Sequence, residues 1–488
     1  MTRDFPEQIP NWIAGRQVPA AAGQWGAKLS PHHGRRISEF ASSTADDVAT
    51  AVAAAKEAQA DWAAIPAVKR GNILLDVALA LRANAELVAC IVAAETGKSP
   101  KEALGETIGA VQQGLFMAGE GMRLYGRTTT SAVANKHAMT VRCPIGVAGL
   151  IIAANTPIAN VAWKVFPALI CGNTAILKAP EDAPATAWIF GKIAAEAGLP
   201  RGVLNVVQGF GPEAGGALVA HPDVAVISFT GSTAVGRRIA GVAGDRLARL
   251  SLELGGKNAF VVCEDADLDK AVEWAVLSAF SNAGQRCAAG SRLIVFDAVY
   301  DEFRAKLIAR TAKLNVGATD SDDCGPVING RQLSNMLAAV GRAKAAGATV
   351  LCGGDRFTDE ERAAGFYMQP TIVEGLAADA EMSICELFGP IAALYRVPGY
   401  AEAIALANSS PYGLTAAIHT RDFDRAMRFV AAMDTGVVTV NGGTYGSEPH
   451  MPFGGSKQSG NGSREPGTEA LDVYSSLKDV YLLVSPHA

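Results

Sequence analysis

The chain has 488 residues, 49% hydrophobic and 19% charged, with a formal net charge of −5. Two or three domains are expected at the usual ~150 residues each; the apolar share excludes a disordered chain and the acidic balance excludes a general basic footprint for nucleic acid. Its 51 glycines and 23 prolines follow no period.

The first twelve residues, MTRDFPEQIPNW, mix acids with prolines and hold no apolar h-region, so no secretory signal is expected. The longest uncharged apolar stretch, 143–163, contains Pro144, Asn155, Thr156, Pro157 and Asn160. A lipid-exposed helix tolerates such a cluster poorly, and no membrane span is expected. Residues 45–120 read as helices: 46–63 carries Val48, Val52, Ala55 and Trp62 at helical spacing, and 70–96 ends at Gly97. From 143, apolar strands at 147–153, 175–178, 203–207 and 224–229 alternate with helices, one of them 186–197 closed by Gly198 and Pro200. A second alternating block spans 253–456, with strands at 259–263, 291–295, 415–419 and 436–440 and helices at 268–281, 299–314 and 336–345. Alternation of this kind predicts an α/β fold with parallel, doubly wound sheets. Two β-rich pieces, a hairpin at 127–142 and a tail at 471–484, lie outside both blocks. They are expected to form an assembly surface by pairing strands between subunits.

Eight cysteines include no CxxC pair, and seven histidines form no HExxH. Reduced thiols in a cytoplasmic protein follow, with neither a disulfide framework nor a metal site expected. Four short segments carry reactive residue types. In VAVISFTGSTAVG (224–236) a strand runs through Gly231 and Gly236 into a helix, either a phosphate-binding turn or an ordinary tight one. Glu253, in SLELGGK, is either a general base or an acid capping a turn. Cys287, in NAGQRCAAGSR, is the one cysteine framed by glycines on both sides, where a thiolate can meet a ligand. Asn155, in AANTP, can donate to a developing oxyanion or satisfy a turn before proline.

Together, and in this order, these segments resemble the aldehyde dehydrogenase superfamily across essentially the whole chain. The resemblance rests on AANTP (153–157), KAPE (178–181), FTGSTAVG (229–236), ELGGK (253–257), GQRC (284–287), ELFGP (386–390) and PFGGSKQSGNG (452–462). It implies an aldehyde dehydrogenase-like α/β fold. A Rossmann-like NAD-binding domain would cover 1–124 and 143–252, a catalytic domain 253–456, and a small β oligomerisation tongue 125–142 with 470–488. Carried over, Cys287 is the nucleophile, Glu253 the general base, and Asn155 with the Cys287 N–H the oxyanion hole. Lys178 and Glu181 hold the adenosine ribose; Phe229, Gly231, Ser232 and Gly236 line the cofactor turn, with Ser232 at the pyrophosphate; Glu386 and Phe388 meet the nicotinamide ribose and ring. Thr156, Trp163, Tyr445 and Phe453 are the implied substrate-pocket residues.

The implied reaction oxidises an aldehyde, a semialdehyde or an aromatic one, to the acid with NAD, NADP serving less well, in a homodimer or homotetramer. Alternatives are transfer of the acyl group to coenzyme A and a non-catalytic relative that binds ligands or serves structurally. The intact Glu253 favours hydrolysis, and the intact Cys287, Glu253 and Asn155 favour an enzyme. Two departures stand out. Thr156 occupies a position that is often aromatic in the family, and SGNGSRE carries one residue more than the common SGxGRE spacing. Glu448 and His450, in 442–451, are equally readable as pocket-mouth or as solvated loop residues.

Overall fold

The computed structural model describes residues 5–485. The ends of the expected N-terminal domain, 1–4, and of the tail segment, 486–488, lie outside the described residues. The described residues form two seven-stranded sheets, two three-stranded sheets and one two-stranded pair.

In spatial order, the first sheet holds Arg249–Glu253, Val224–Thr230, Val147–Ile151, Thr174–Lys178, Leu204–Val207, Asn11–Ile13 and Arg16–Val18. Its first five strands run parallel, and the two N-terminal strands add antiparallel. Val147–Ile151 and Thr174–Lys178 are buried at every position. That pattern belongs to strands covered by helices on both faces. Leu150, Leu177 and Val206 enter one core with Phe166, while Ile151, Ile176 and Val207 enter the other with Val48 and Val52. The helix Pro157–Ile170 covers one face and Ala45–Ala64 the other.

The second sheet is ordered Thr349–Cys352, Thr371–Glu374, Ile391–Val397, Arg292–Phe296, Ala259–Val262, Thr415–His419 and Val437–Val440, parallel except for its first strand. Two of its helices start on side-chain caps: Asp267 accepts from Lys270 N–H at 3.3 Å and Asn329 from Gln332 N–H at 2.9 Å.

The chain crosses between sheets just after Glu253 and returns later. Leu254 N–H donates to Ser459 O at 2.9 Å, and Leu252 N–H to the Asn461 side chain at 3.0 Å. This return brings Glu465 into the first domain, where its carboxylate accepts from Lys164 Nζ at 2.7 Å, both side chains fully buried.

The expected strands of both blocks are present within a few residues of their expected ends. Helix Pro157–Ile170 has no counterpart among the expected elements. Pro157 sits in the first turn, where a missing N–H costs nothing, and Pro167 is held inside by burial on all sides. The tail is not β from its start. Ala470–Tyr474 is a helical turn whose Leu471 and Tyr474 pack into the first core, and only Ser475–Leu483 is a strand. The expected pairing of the two outlying segments between subunits is corrected as well. Ser475–Leu483 pairs antiparallel with Lys136–Pro144 of the same chain, from Ser475↔Pro144 to Leu483↔Lys136. The return through Tyr474 delivers the tail strand directly beside its partner, so the intramolecular pairing has little loop entropy to overcome.

Candidate active site

Cys287 is supplied by the second sheet and Glu253 by the first. Glu253 is the last residue of its strand, opposite Thr230. Cys287 lies between the helix Leu268–Phe280 and the strand Arg292–Phe296, after a turn in which Asn282, Ala283 and Gly284 all have positive φ, from 52 to 67°. Two successive non-glycine residues in this region are strained, and surrounding hydrogen bonds hold them. Asn282 N–H donates to Glu102 Oε1 at 2.9 Å and its amide to Asn155 O at 3.2 Å. Gln285 Oε1 accepts from Ile328 N–H at 2.9 Å. Gly284 must stay bare, since a Cβ there would stand 2.1 Å from Gly389 O. Asn258 fixes the other side, its amide donating to Cys287 O at 2.7 Å and Ala289 O at 2.9 Å.

Two cavities meet at the thiol. One, of about 470 Å³, is bounded by the helix Pro100–Gly119 and by Trp163, Arg286, Tyr445 and Phe453. The other, of about 340 Å³, is bounded by Gly231, Ser232, Glu253, Glu386 and Phe388. Both touch Asn155, Thr156, Trp163, Cys287 and Phe453. The structure therefore gathers most of the expected site residues on one wall system. Tyr445 lines only the first cavity, together with Glu448; His450 pairs with Glu448 at 3.4 Å from an exposed position. Phe229 and Gly236 line neither. The Phe229 ring underlies Gly231, and Gly236 lies against Leu254, which a Cβ would meet at 2.5 Å. Lys178 is buried and Glu181 partly exposed, their side chains 3.4 Å apart, while their neighbour Asp182 reaches the second cavity.

The electrostatics follow from burial. Glu253 is 4% exposed and neither carboxylate oxygen has a hydrogen-bond partner in the protein. Burial raises its pKa well above the ordinary range, and the charge of Glu465 adds to the effect; Lys164 and Arg464 oppose it. The Cys287 thiol is pushed up to about 12, first by burial and then by the charges of Glu386 and Glu253. It is therefore a neutral thiol at rest and needs a base. Glu386 is pushed up to about 7 by burial, against a hydrogen bond accepted from Gly256 N–H at 2.9 Å.

A dinucleotide fits the second cavity by the chemistry of its wall. Ser232 caps the helix Thr233–Asp245, whose positive end suits a phosphate. Gly255 lets the Glu386 carboxylate onto the floor, since a Cβ there would stand 2.2 Å from Glu386 Oε2. A ribose hydroxyl can donate to that carboxylate.

Several site residues escape a reading by motif. Lys98, Glu102 and Glu106 recur every four residues on the helix side of the first cavity. Lys98 donates to Asn155 O at 2.8 Å, and Glu106 accepts from Ile158 and Ala159 N–H at 3.0 and 3.2 Å. Lys98 and Glu106 thus hold the turn that carries Asn155, and Glu102 the turn at Asn282. Gln113, 1% exposed, has no partner for either amide atom. Fourfold spacing of charges was the available signal for the first three; nothing marked Gln113.

A thiol and a carboxylate meeting where a dinucleotide crevice joins a second cavity define a cysteine-dependent oxidoreductase site. The model of the aldehyde dehydrogenase family matches residues 18–480. The chain is 37% identical over 478 residues to the alpha-ketoglutaric semialdehyde dehydrogenase of Bacillus subtilis, covering 97% of each chain. It is 39% identical over 475 residues to the mitochondrial benzaldehyde dehydrogenase of Antirrhinum majus, covering 96% of this chain and 88% of that one. Among solved structures, betaine aldehyde dehydrogenase from Staphylococcus aureus in complex with NAD+ superimposes with a TM-score of 0.96 at 30% identity, covering 98% of this chain and 95% of that chain. The chain belongs to the aldehyde dehydrogenase family.

The raised thiol pKa sets an expectation for chemical labelling. At pH 7 without cofactor, iodoacetamide should modify Cys287 at least ~10-fold more slowly than exposed Cys385. The rate should climb with pH well beyond the range of an ordinary thiol. Peptide mass spectrometry reads both sites, and equal rates at pH 7 would contradict the neutral resting thiol.

Proposed function

We propose that this chain oxidises an aldehyde to the carboxylic acid with NAD, using Cys287 as nucleophile and Glu253 as the base for hydrolysis. The observation that carries the reading is the meeting of two cavities at Cys287, with Glu253 unpartnered beside it. Cys287 releases its proton to solvent water and adds as thiolate to the carbonyl carbon. Asn155 Nδ2 already donates to Gln285 O at 2.9 Å; its second amide hydrogen and the Cys287 N–H hold the oxyanion. A nicotinamide dinucleotide held in the second cavity by Ser232 and Glu386 would supply the hydride acceptor, and loss of hydride from the adduct would leave a thioester on Cys287. Glu253 then takes a proton from water, the hydroxide adds to the thioester, and the thiolate leaves. Burial raises its pKa and so makes the ionised carboxylate a stronger base than an exposed one. An unpartnered base positioned for water favours hydrolysis over transfer to coenzyme A.

Cys287→Ser should retain NAD binding and lose at least ~10³-fold in turnover, because an unactivated hydroxyl replaces the thiolate. Glu253→Gln should give a burst of about one NADH per site and then stall. Near-normal turnover by the serine variant would refute the nucleophile; loss of the burst would move Glu253 to an earlier step.

Glu181 next to Lys178 favours NAD, its carboxylate accepting from ribose hydroxyls and repelling a 2′-phosphate. The expected preference over NADP is about ten- to a hundred-fold in kcat/KM, some 1.4–2.8 kcal/mol. Glu181→Ser should narrow it, and equal kcat/KM for both cofactors in the unaltered enzyme would exclude this role.

Assembly as a homodimer or homotetramer is proposed from the tail strand, where Leu477, Tyr481, Leu482 and Leu483 are 48–75% exposed. Deleting residues 475–488 should give monomer or aggregate on light scattering; an unchanged oligomer would remove the proposal. Among the described residues no single helix is long and apolar enough to cross a membrane. With reduced cysteines expected, we place the enzyme in the cytoplasm.

A further inference from the structure

We propose that Arg286 makes the first cavity selective for short aldehydes that carry a carboxylate, an inference that rests on the aldehyde-oxidising reading of Cys287. Arg286 precedes the nucleophile and lines the same cavity. Its guanidinium lies 4.8 Å from the centroid of the Tyr445 ring, which fixes its plane. Its Nε is buried without a hydrogen-bond partner. Glu102 Oε1 stands 3.7 Å from Arg286 Nη2, beyond hydrogen-bond distance, and already accepts from Asn282 N–H at 2.9 Å.

Lys98, the other cation on this cavity, is differently placed. It is bound to Glu106 and to Asn155 O, so its charge is spent on holding the active-site turn. Arg286 thus presents the guanidinium donors that remain for a ligand. A guanidinium fork matches a carboxylate with two parallel hydrogen bonds, which no neutral group reproduces. The chain between aldehyde and carboxylate is bounded by the cavity of about 470 Å³ that Arg286 and Cys287 both line. Glu102 opposes an incoming anion. It steadies Arg286 in the free enzyme and lowers the affinity for the carboxylate, so the two side chains should push selectivity in opposite directions.

The test compares kcat/KM with saturating NAD for 4-oxobutanoate and its uncharged amide, 4-oxobutanamide. The unaltered enzyme should favour the carboxylate by at least ~30-fold, mainly through KM. Arg286→Gln should bring the ratio to within ~3-fold of unity, Arg286→Lys should restore part of it, and Glu102→Gln should raise it above the unaltered value. The ratio cancels any general loss of activity, and if Arg286→Gln does not fold, the lysine and Glu102 variants decide. Succinate should also protect Cys287 from iodoacetamide in the unaltered protein and less so in Arg286→Lys, a readout that needs no turnover. Oxidation of both aldehydes with equal kcat/KM, or a ratio unmoved by the Arg286 and Glu102 variants, would overturn this inference and leave the aldehyde-oxidising reading standing. NADH from no aldehyde in a panel, with succinate protection intact, would instead overturn the redox reading alone.

Discussion

An unpartnered carboxylate inside the protein is the constraint on which the site turns. Glu253 is buried with both oxygens free of protein donors. Such a group costs stability unless it stays protonated or its surroundings are held rigidly. Here the surroundings are rigid. Ser228, Ser251 and Tyr474 hydroxyls all donate to Glu465 Oε1, at 2.7, 3.2 and 3.0 Å, while Lys164 takes the other oxygen. That network ties the first sheet, the chain return and the tail together directly beneath Glu253. The fold therefore isolates one acid by satisfying its neighbours.

The same logic orders the thiol. Cys287 is neutral in the resting crevice, so its reactivity depends on what enters beside it. Strain at Asn282 and Ala283 is offset by bonds that Asn282 donates to the Glu102 carboxylate and to the Asn155 and Gln285 carbonyls. Asn155 is in turn held by Lys98. Oxyanion donor, strained turn and the charged helix face thus form one hydrogen-bonded unit spanning both sheets. A change on that helix face, two turns from the chemistry, reaches the nucleophile through this unit.

Much of this was legible in the sequence because periodicity and glycine spacing are local. The strands Thr174–Lys178 and Thr415–His419 read as apolar runs, and Cys287 stood out from its glycine frame. What escaped depends on contacts distant along the chain. Helix Pro157–Ile170 survives its internal proline through tertiary burial, and Asn258 matters because its amide meets Cys287 O 29 residues on. The tail strand and its partner segment were both recognised as β, but not that they pair within one chain, since an edge carries no signal of which copy of a strand will cover it. Gly236 also packs on Leu254, a contact that spacing alone does not encode.

The central claim is that Cys287 carries the acyl group and Glu253 releases it. Mass spectrometry of Glu253→Gln after one turnover with NAD and an aldehyde tests it most directly. The account predicts an acyl adduct on the Cys287 peptide, with a mass increase equal to the aldehyde minus two hydrogens, persisting after NADH has formed. NADH formation with no adduct on Cys287, or with the adduct on another residue, would contradict it.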